Sequence, residues 1–151
     1  MSSPKGNDEA AVKLPAILAL EASGDLLAVA VWAQGAVREH QAHEARHGHA
    51  AHIASLVKQV MESAGVRFTD ITHVAAGRGP GSFTGIRVAL AAAKGFCLAT
   101  GAVGMGINGL AALAAHYESG IPVLVSAETR RGPCYAQLFG DGGKVLTSIF
   151  E

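Results

Sequence analysis

Cysteines, aromatic rings and charged residues are all scarce in this chain. Two cysteines, Cys97 and Cys134, are too few for a disulfide framework and stand at no metal-binding spacing, so a reducing, cytoplasmic setting is the expectation. Aromatic residues make up 5% of the 151 residues, which leaves packing to small side chains. Charged residues make up 16% and balance at 12 basic and 12 acidic, for a formal net charge of zero. No basic tail or stripe marks a nucleic-acid binder, so any RNA contact would need a partner's charge or a local patch. Apolar stretches such as 88–93, interrupted by Lys94 and Gly95, fall far short of the ~20 residues of a membrane span, and no membrane role is expected. Residues 1–13 (MSSPKGNDEAAVK) lack an apolar run followed by a cleavage site, and residues 1–15 read as a flexible tail.

What is present is apolar and small. Half of the residues are hydrophobic, and alanine and glycine together supply about a third of the chain. A core is affordable, close backbone packing is favoured, and wholesale disorder is excluded. Apolar runs at 16–20, 26–32 and about 36–40, separated by Ser23-Gly24-Asp25 and Gln34-Gly35, predict a β-meander. The first two runs are apolar on both faces and belong inside the sheet. Ile53, Leu56, Val57, Val60, Met61 and Ala64 trace one face of a helix over 50–64, with Gly65 where a C′ glycine ends it. A strand at 72–76 leads through a glycine loop to a helix at 85–99. Ile86, Ala89, Leu90, Ala93, Phe96 and Cys97 form its apolar face, and Val88, Ala92, Gly95 and Ala99 form a second, small-residue stripe. A strand at 101–106, a helix at 108–117 and strands at 121–126, 134–140 and 144–150 follow, with a turn at Asp141-Gly142-Gly143. The order predicts a mixed sheet with helices on its faces. Residues 16–118 form a first lobe on this reading, and 119–151 a partial second one.

Three segments invite chemistry. Gly77 to Gly85 (GRGPGSFTG) joins a strand to a helix N-terminus, where backbone N–H groups and the helix dipole favour an anion. Gly79, Gly81, Ser82, Thr84 and Gly85 are the candidate phosphate or nucleotide contacts, with Ser82 or Thr84 as cap. The loop lacks the Walker ending and the GxGxxG spacing, and a plain tight turn needs the same residues. His43-Glu44-Ala45-Arg46-His47 is a literal HExxH, which binds zinc when both imidazoles share a helix face; Glu62 is the third ligand to consider. Gly48 and the late onset of helical periodicity point instead to a solvated approach to the helix. Arg130 and Arg131 beside Gly132 offer an anion contact or a charged turn.

The run GRGPGSFTGIRVALAAAKGF (77–96), with GAVGMGINGLAALA (101–114), closely resembles the TsaB/YeaZ family of tRNA threonylcarbamoyladenosine biosynthesis. ILALEAS (17–23) is similar to the family's opening strand, and AETRRGPCYAQLF (127–139) to its later DARRGEVYAALY-like motif. The resemblance covers roughly residues 16–140 and implies an α/β, actin-like (ASKHA, ribonuclease H-like) lobe with a mixed sheet flanked by helices, plus an incomplete second lobe. The family usually continues well beyond the position of Glu151, so the chain is expected to be truncated or naturally short. Glu21 and Glu128 stand where the family usually has Asp, Ala22 where it has Thr, and Pro133-Cys134 where it has Glu-Val. These departures put nucleotide hydrolysis by this chain alone in doubt. Gly109 and Leu113 stand at the positions of the two metal-binding histidines of the catalytic paralogue TsaD. The resemblance therefore implies no catalytic residues, no metal and no intrinsic cofactor, with ATP or ADP only at a complex interface. It implies a partner subunit that binds TsaD, with TsaE as third component, a homodimer when alone, and only indirect contact with tRNA. Val88, Ala92, Gly95 and Ala99 are the expected partner-binding stripe, unless that stripe packs on the chain's own helix at 50–64.

Overall fold

A computed structural model describes residues 14–44, 49–117, 120–128 and 134–151. The expected tail lies almost wholly outside the described residues. The elements run β1 (Ile17–Glu21), β2 (Leu26–Ala33), β3 (Ala36–Glu44), α1 (His49–Ala64), β4 (His73–Gly77), α2 (Phe83–Thr100), β5 (Val103–Ile107), α3 (Gly109–Ala114), β6 (Val123–Ala127) and β7 (Tyr135–Phe139). Single 3₁₀ turns occupy Phe68–Asp70 and Asp141–Gly143. The first sheet has the order β3-β2-β1-β4-β5, with the meander antiparallel and β1, β4 and β5 mutually parallel. β1 is central and β2 is internal, as their two-sided apolar character required.

The core follows from strand alternation. Leu18, Leu20, Val29, Val31, Val74 and Ala76 project to one face and form a single cluster with Ile53, Leu56, Val57, Val60 and Met61 of α1 and Ala89 and Ala93 of α2. Every predicted core position of α1 up to Met61 is buried, and Gly65 ends the helix at a φ of 64° that other residues resist. The expected mixed sheet flanked by helices is what the chain forms, with α1 and α2 packed side by side on the same face. The opposite face carries Ile17, Ala19, Ala28, Ala30 and Trp32, all half-buried, and Val103, Met105 and Ile107, which are exposed. By length and composition alone α2 could cross a membrane. Its Gly85, Ala89 and Ala93 are instead seated on the sheet, and Arg87 and Lys94 interrupt it.

Other boundaries differ from the sequence reading for local reasons. β3 was expected to stop near residue 40 but stays paired to β2 as far as Glu44 opposite Leu26. An edge strand needs only one partner, so polar side chains do not end it. α3 is shorter than the expected 108–117, starting behind an Asn108 cap and closing at Ala115. Its Leu110 and Ala114 pack with Val125 and Phe139, so this helix shares its core with β6 and β7. Residues 144–150 were expected to be a strand but form only two isolated bridges, Phe139 to Val145 and Ala136 to Phe150. Between them the Leu138 N–H donates to the Thr147 hydroxyl at 3.1 Å, so a side chain interrupts the backbone ladder.

Candidate functional site

The carboxyl ends of β1, β4 and β5 converge with the N-termini of α2 and α3. In open α/β sheets this is where ligands bind. At the end of β1, Glu21 Oε1 accepts the Ser23 N–H at 2.5 Å. Its carboxylate occupies the space that a Cβ on Gly77 would need, so a side chain there would displace Glu21. The loop that follows lies under the β1–β2 turn. The Ser82 N–H donates to Ser23 O at 2.7 Å, and a Cβ at Gly81 or Gly85 would overlap Ser23 O or Ala22 O. Ser82 is the cap of α2: its hydroxyl accepts the Gly85 N–H at 3.2 Å, and its carbonyl accepts the Ile86 N–H at 2.9 Å. Thr84 is exposed and does not cap. The Gly79 carbonyl accepts the Gly109 N–H at 2.8 Å. These bonds and close approaches account for Gly81, Ser82 and Gly85 without a ligand.

The HExxH reading fails at its first histidine. His43 and Glu44 lie on β3, with His43 opposite Leu27, whereas the motif needs a helix to bring its imidazoles together. His47 lies outside the described residues, as do Arg130 and Arg131. Glu62 is taken up in an exposed pair with Lys58 at 3.7 Å. Glu128 follows β6 and is exposed. Gly109 begins α3, and Leu113 on the same helix is exposed. Among the titrating groups, Arg67 is held above its ordinary value by its hydrogen bond to Asp70 and then by that carboxylate's charge, on the turn before β4.

A second candidate surface lies on the helices. An open groove of about 490 Å³ runs between the start of α1 and the first half of α2, lined by Ala50, Ile53, Thr84, Arg87, Val88 and Ala92. The small-residue stripe divides along its length. Val88 and Ala92 are half-buried against the chain's own core, while Gly95 and Ala99 are exposed. A Cβ at Gly95 would meet nothing within 4 Å. Beside it the outward face carries Phe83, 73% exposed, and Leu98, 89% exposed, with the Arg87 guanidinium 5.3 Å from the Phe83 ring centre. Phe83, Arg87 and Leu98 were missed by the sequence reading. Their spacing of 4 and 11 residues puts them on one helical stripe, but only burial shows that this stripe faces outward.

Asn108 and Gln137 were also missed as a pair, since nothing in the sequence links positions 29 residues apart. Asn108 Nδ2 donates to Gln137 Oε1 at 2.8 Å.

Comparison with known proteins adds the following. Residues 36–151 match the family model described as "TsaD: tRNA N6-adenosine threonylcarbamoyltransferase". The chain is 34% identical over 122 residues to a protein of Escherichia coli (strain K12) named "tRNA threonylcarbamoyladenosine biosynthesis protein TsaB", covering 79% of this chain and 52% of that protein. It spans about half the length of this relative. The solved structure "YeaZ from Pseudomonas aeruginosa" superposes with a TM-score of 0.80 at 25% identity, covering 90% of this chain and 66% of that one. A hexokinase structure from Thermus thermophilus shares the fold at a TM-score of 0.52 and 19% identity, covering 88% of this chain and 49% of that one.

Proposed function

Because the chain belongs to the family described as "TsaD: tRNA N6-adenosine threonylcarbamoyltransferase", as a TsaB/YeaZ-type protein of actin-like fold, we propose that it is a non-catalytic partner subunit in tRNA N6-threonylcarbamoyladenosine formation. It supports a catalytic TsaD subunit instead of transferring the threonylcarbamoyl group. The observation that carries this reading is the outward face of α2. Phe83, Arg87 and Leu98 are large side chains left in solvent, beside a bare Gly95 and a groove edged by α1. Apolar surface of this kind on an otherwise capped and packed helix marks a docking face. Small residues at Ala91, Gly95 and Ala99 allow a second helix to approach near the short end of the ~8–10 Å interaxial range.

The residues at the strand ends support the non-catalytic half of the proposal. Gly109 and Leu113 offer no ligating side chain at the positions where the resemblance puts two histidines. Ala22 is fully buried and has no hydroxyl to give a phosphate, and Glu21 is engaged with Ser23. A nucleotide would enter only at a boundary shared with the partner. TsaE would join as a third component and tRNA would be held through the complex, which suits a chain of zero net charge. The work is assigned to the cytoplasm.

The test is association. Gly95→Trp combined with Leu98→Glu changes only exposed positions, so circular dichroism should hold and the melting temperature should not fall. Co-elution with TsaD should be lost, along with stimulation of threonylcarbamoyladenosine formation. Retained co-elution in the folded double variant would remove α2 as the docking face.

A further inference from the structure

The junction between the two sheets passes through one asparagine. Its two chain neighbours are held by the first sheet's loop, because the Arg78 N–H donates to Ile107 O and the Gly109 N–H to Gly79 O, each at 2.8 Å. Its side chain is held by the second unit. Asn108 Oδ1 accepts the N–H groups of Leu110 and Ala111 at 2.9 and 3.4 Å, capping a helix whose core is shared with β6 and β7. Its Nδ2 donates to Gln137 Oε1. Gln137 lies within β7, is 4% exposed, and is the buried polar residue among the described residues. Its Nε2 donates to Thr147 O at 2.9 Å, which ties the last segment to the same amide.

We propose that the Asn108–Gln137 amide pair is a latch that sets how the β6–β7 sheet sits against the strand ends of the first sheet. An unpaired amide at this depth is costly, so the two units are favoured in the one arrangement that pairs both ends of each amide. α3 shares its core with the second sheet, so loss of the latch loosens α3, β6 and β7 as one cooperative unit while the first sheet stays intact. The latch is a property of this chain's own contacts and stands whether or not the chain docks on TsaD.

Hydrogen–deuterium exchange on the intact chain tests it with two variants. Gln137→Met keeps the volume and removes the acceptor. Asn108→Ser keeps a good helix cap but is too short to reach Gln137. The shared change is loss of the bond between the units. Both should speed amide exchange in α3, β6 and β7 roughly three- to tenfold, the worth of one such bond, while β1, β2 and β4 exchange as before. A parallel rise in every strand would reduce the pair to an ordinary stabilising contact and overturn the latch. So would unchanged exchange in Asn108→Ser, which decides alone if Gln137→Met does not fold.

Discussion

At the scale of single residues, two glycines in one helix carry opposite meanings. Gly85 and Gly95 both lie in α2, where glycine costs up to ~1 kcal/mol relative to alanine. A Cβ at Gly95 meets nothing within 4 Å, so Gly95→Ala should stabilise the chain by about 0.5–1 kcal/mol. A Cβ at Gly85 overlaps the Ala22 carbonyl, a backbone atom that cannot swing aside. Gly85→Ala should therefore destabilise, by roughly 1–3 kcal/mol, because overpacking outweighs the gain in helix propensity. Urea denaturation of the two variants checks the sign of each.

At the scale of elements, the start of α2 rests on Ser82. Its hydroxyl takes the Gly85 N–H, while Thr84, the other candidate, points its exposed side chain toward the groove. Ser82→Ala should cost about 1 kcal/mol, and Thr84→Ala much less, as measured by the denaturation midpoint. α1 was legible in the sequence because six apolar positions kept strict helical spacing, and five of them are fully in the core. β3 was less legible. Its polar residues resemble a loop, and only pairing with β2 along its whole length makes a strand of them. The same pairing puts His43 and Glu44 on a strand, where an HExxH site needs a helix, while the rest of the motif lies outside the described residues.

At the scale of the whole molecule, the docking proposal makes homodimer and TsaD complex compete for one face. Light scattering on a size-exclusion column should show added TsaD converting dimer into a complex with one copy of each chain. A larger assembly that keeps the dimer intact would mean two separate faces. The first sheet also has an open side, with half-buried Trp32 and exposed Met105, opposite the face that α1 and α2 cover. The second sheet meets the first through α3, the Gly79–Gly109 backbone bond and the Asn108–Gln137 pair.

The sequence by itself determined the meander, the helix at 50–64, the glycine turn and the long alanine-rich helix. Each is written in local spacing of apolar, glycine and capping residues, which needs no knowledge of distant chain. It also carried the family, through the run at 77–96. Only the tertiary structure decided which stripe of α2 faces outward, that Ala22 and Ser23 dictate the glycines at 81 and 85, and that Asn108 reaches Gln137. Those facts depend on residues far apart in the chain meeting in space, and periodicity along one element holds no record of what will be packed against it.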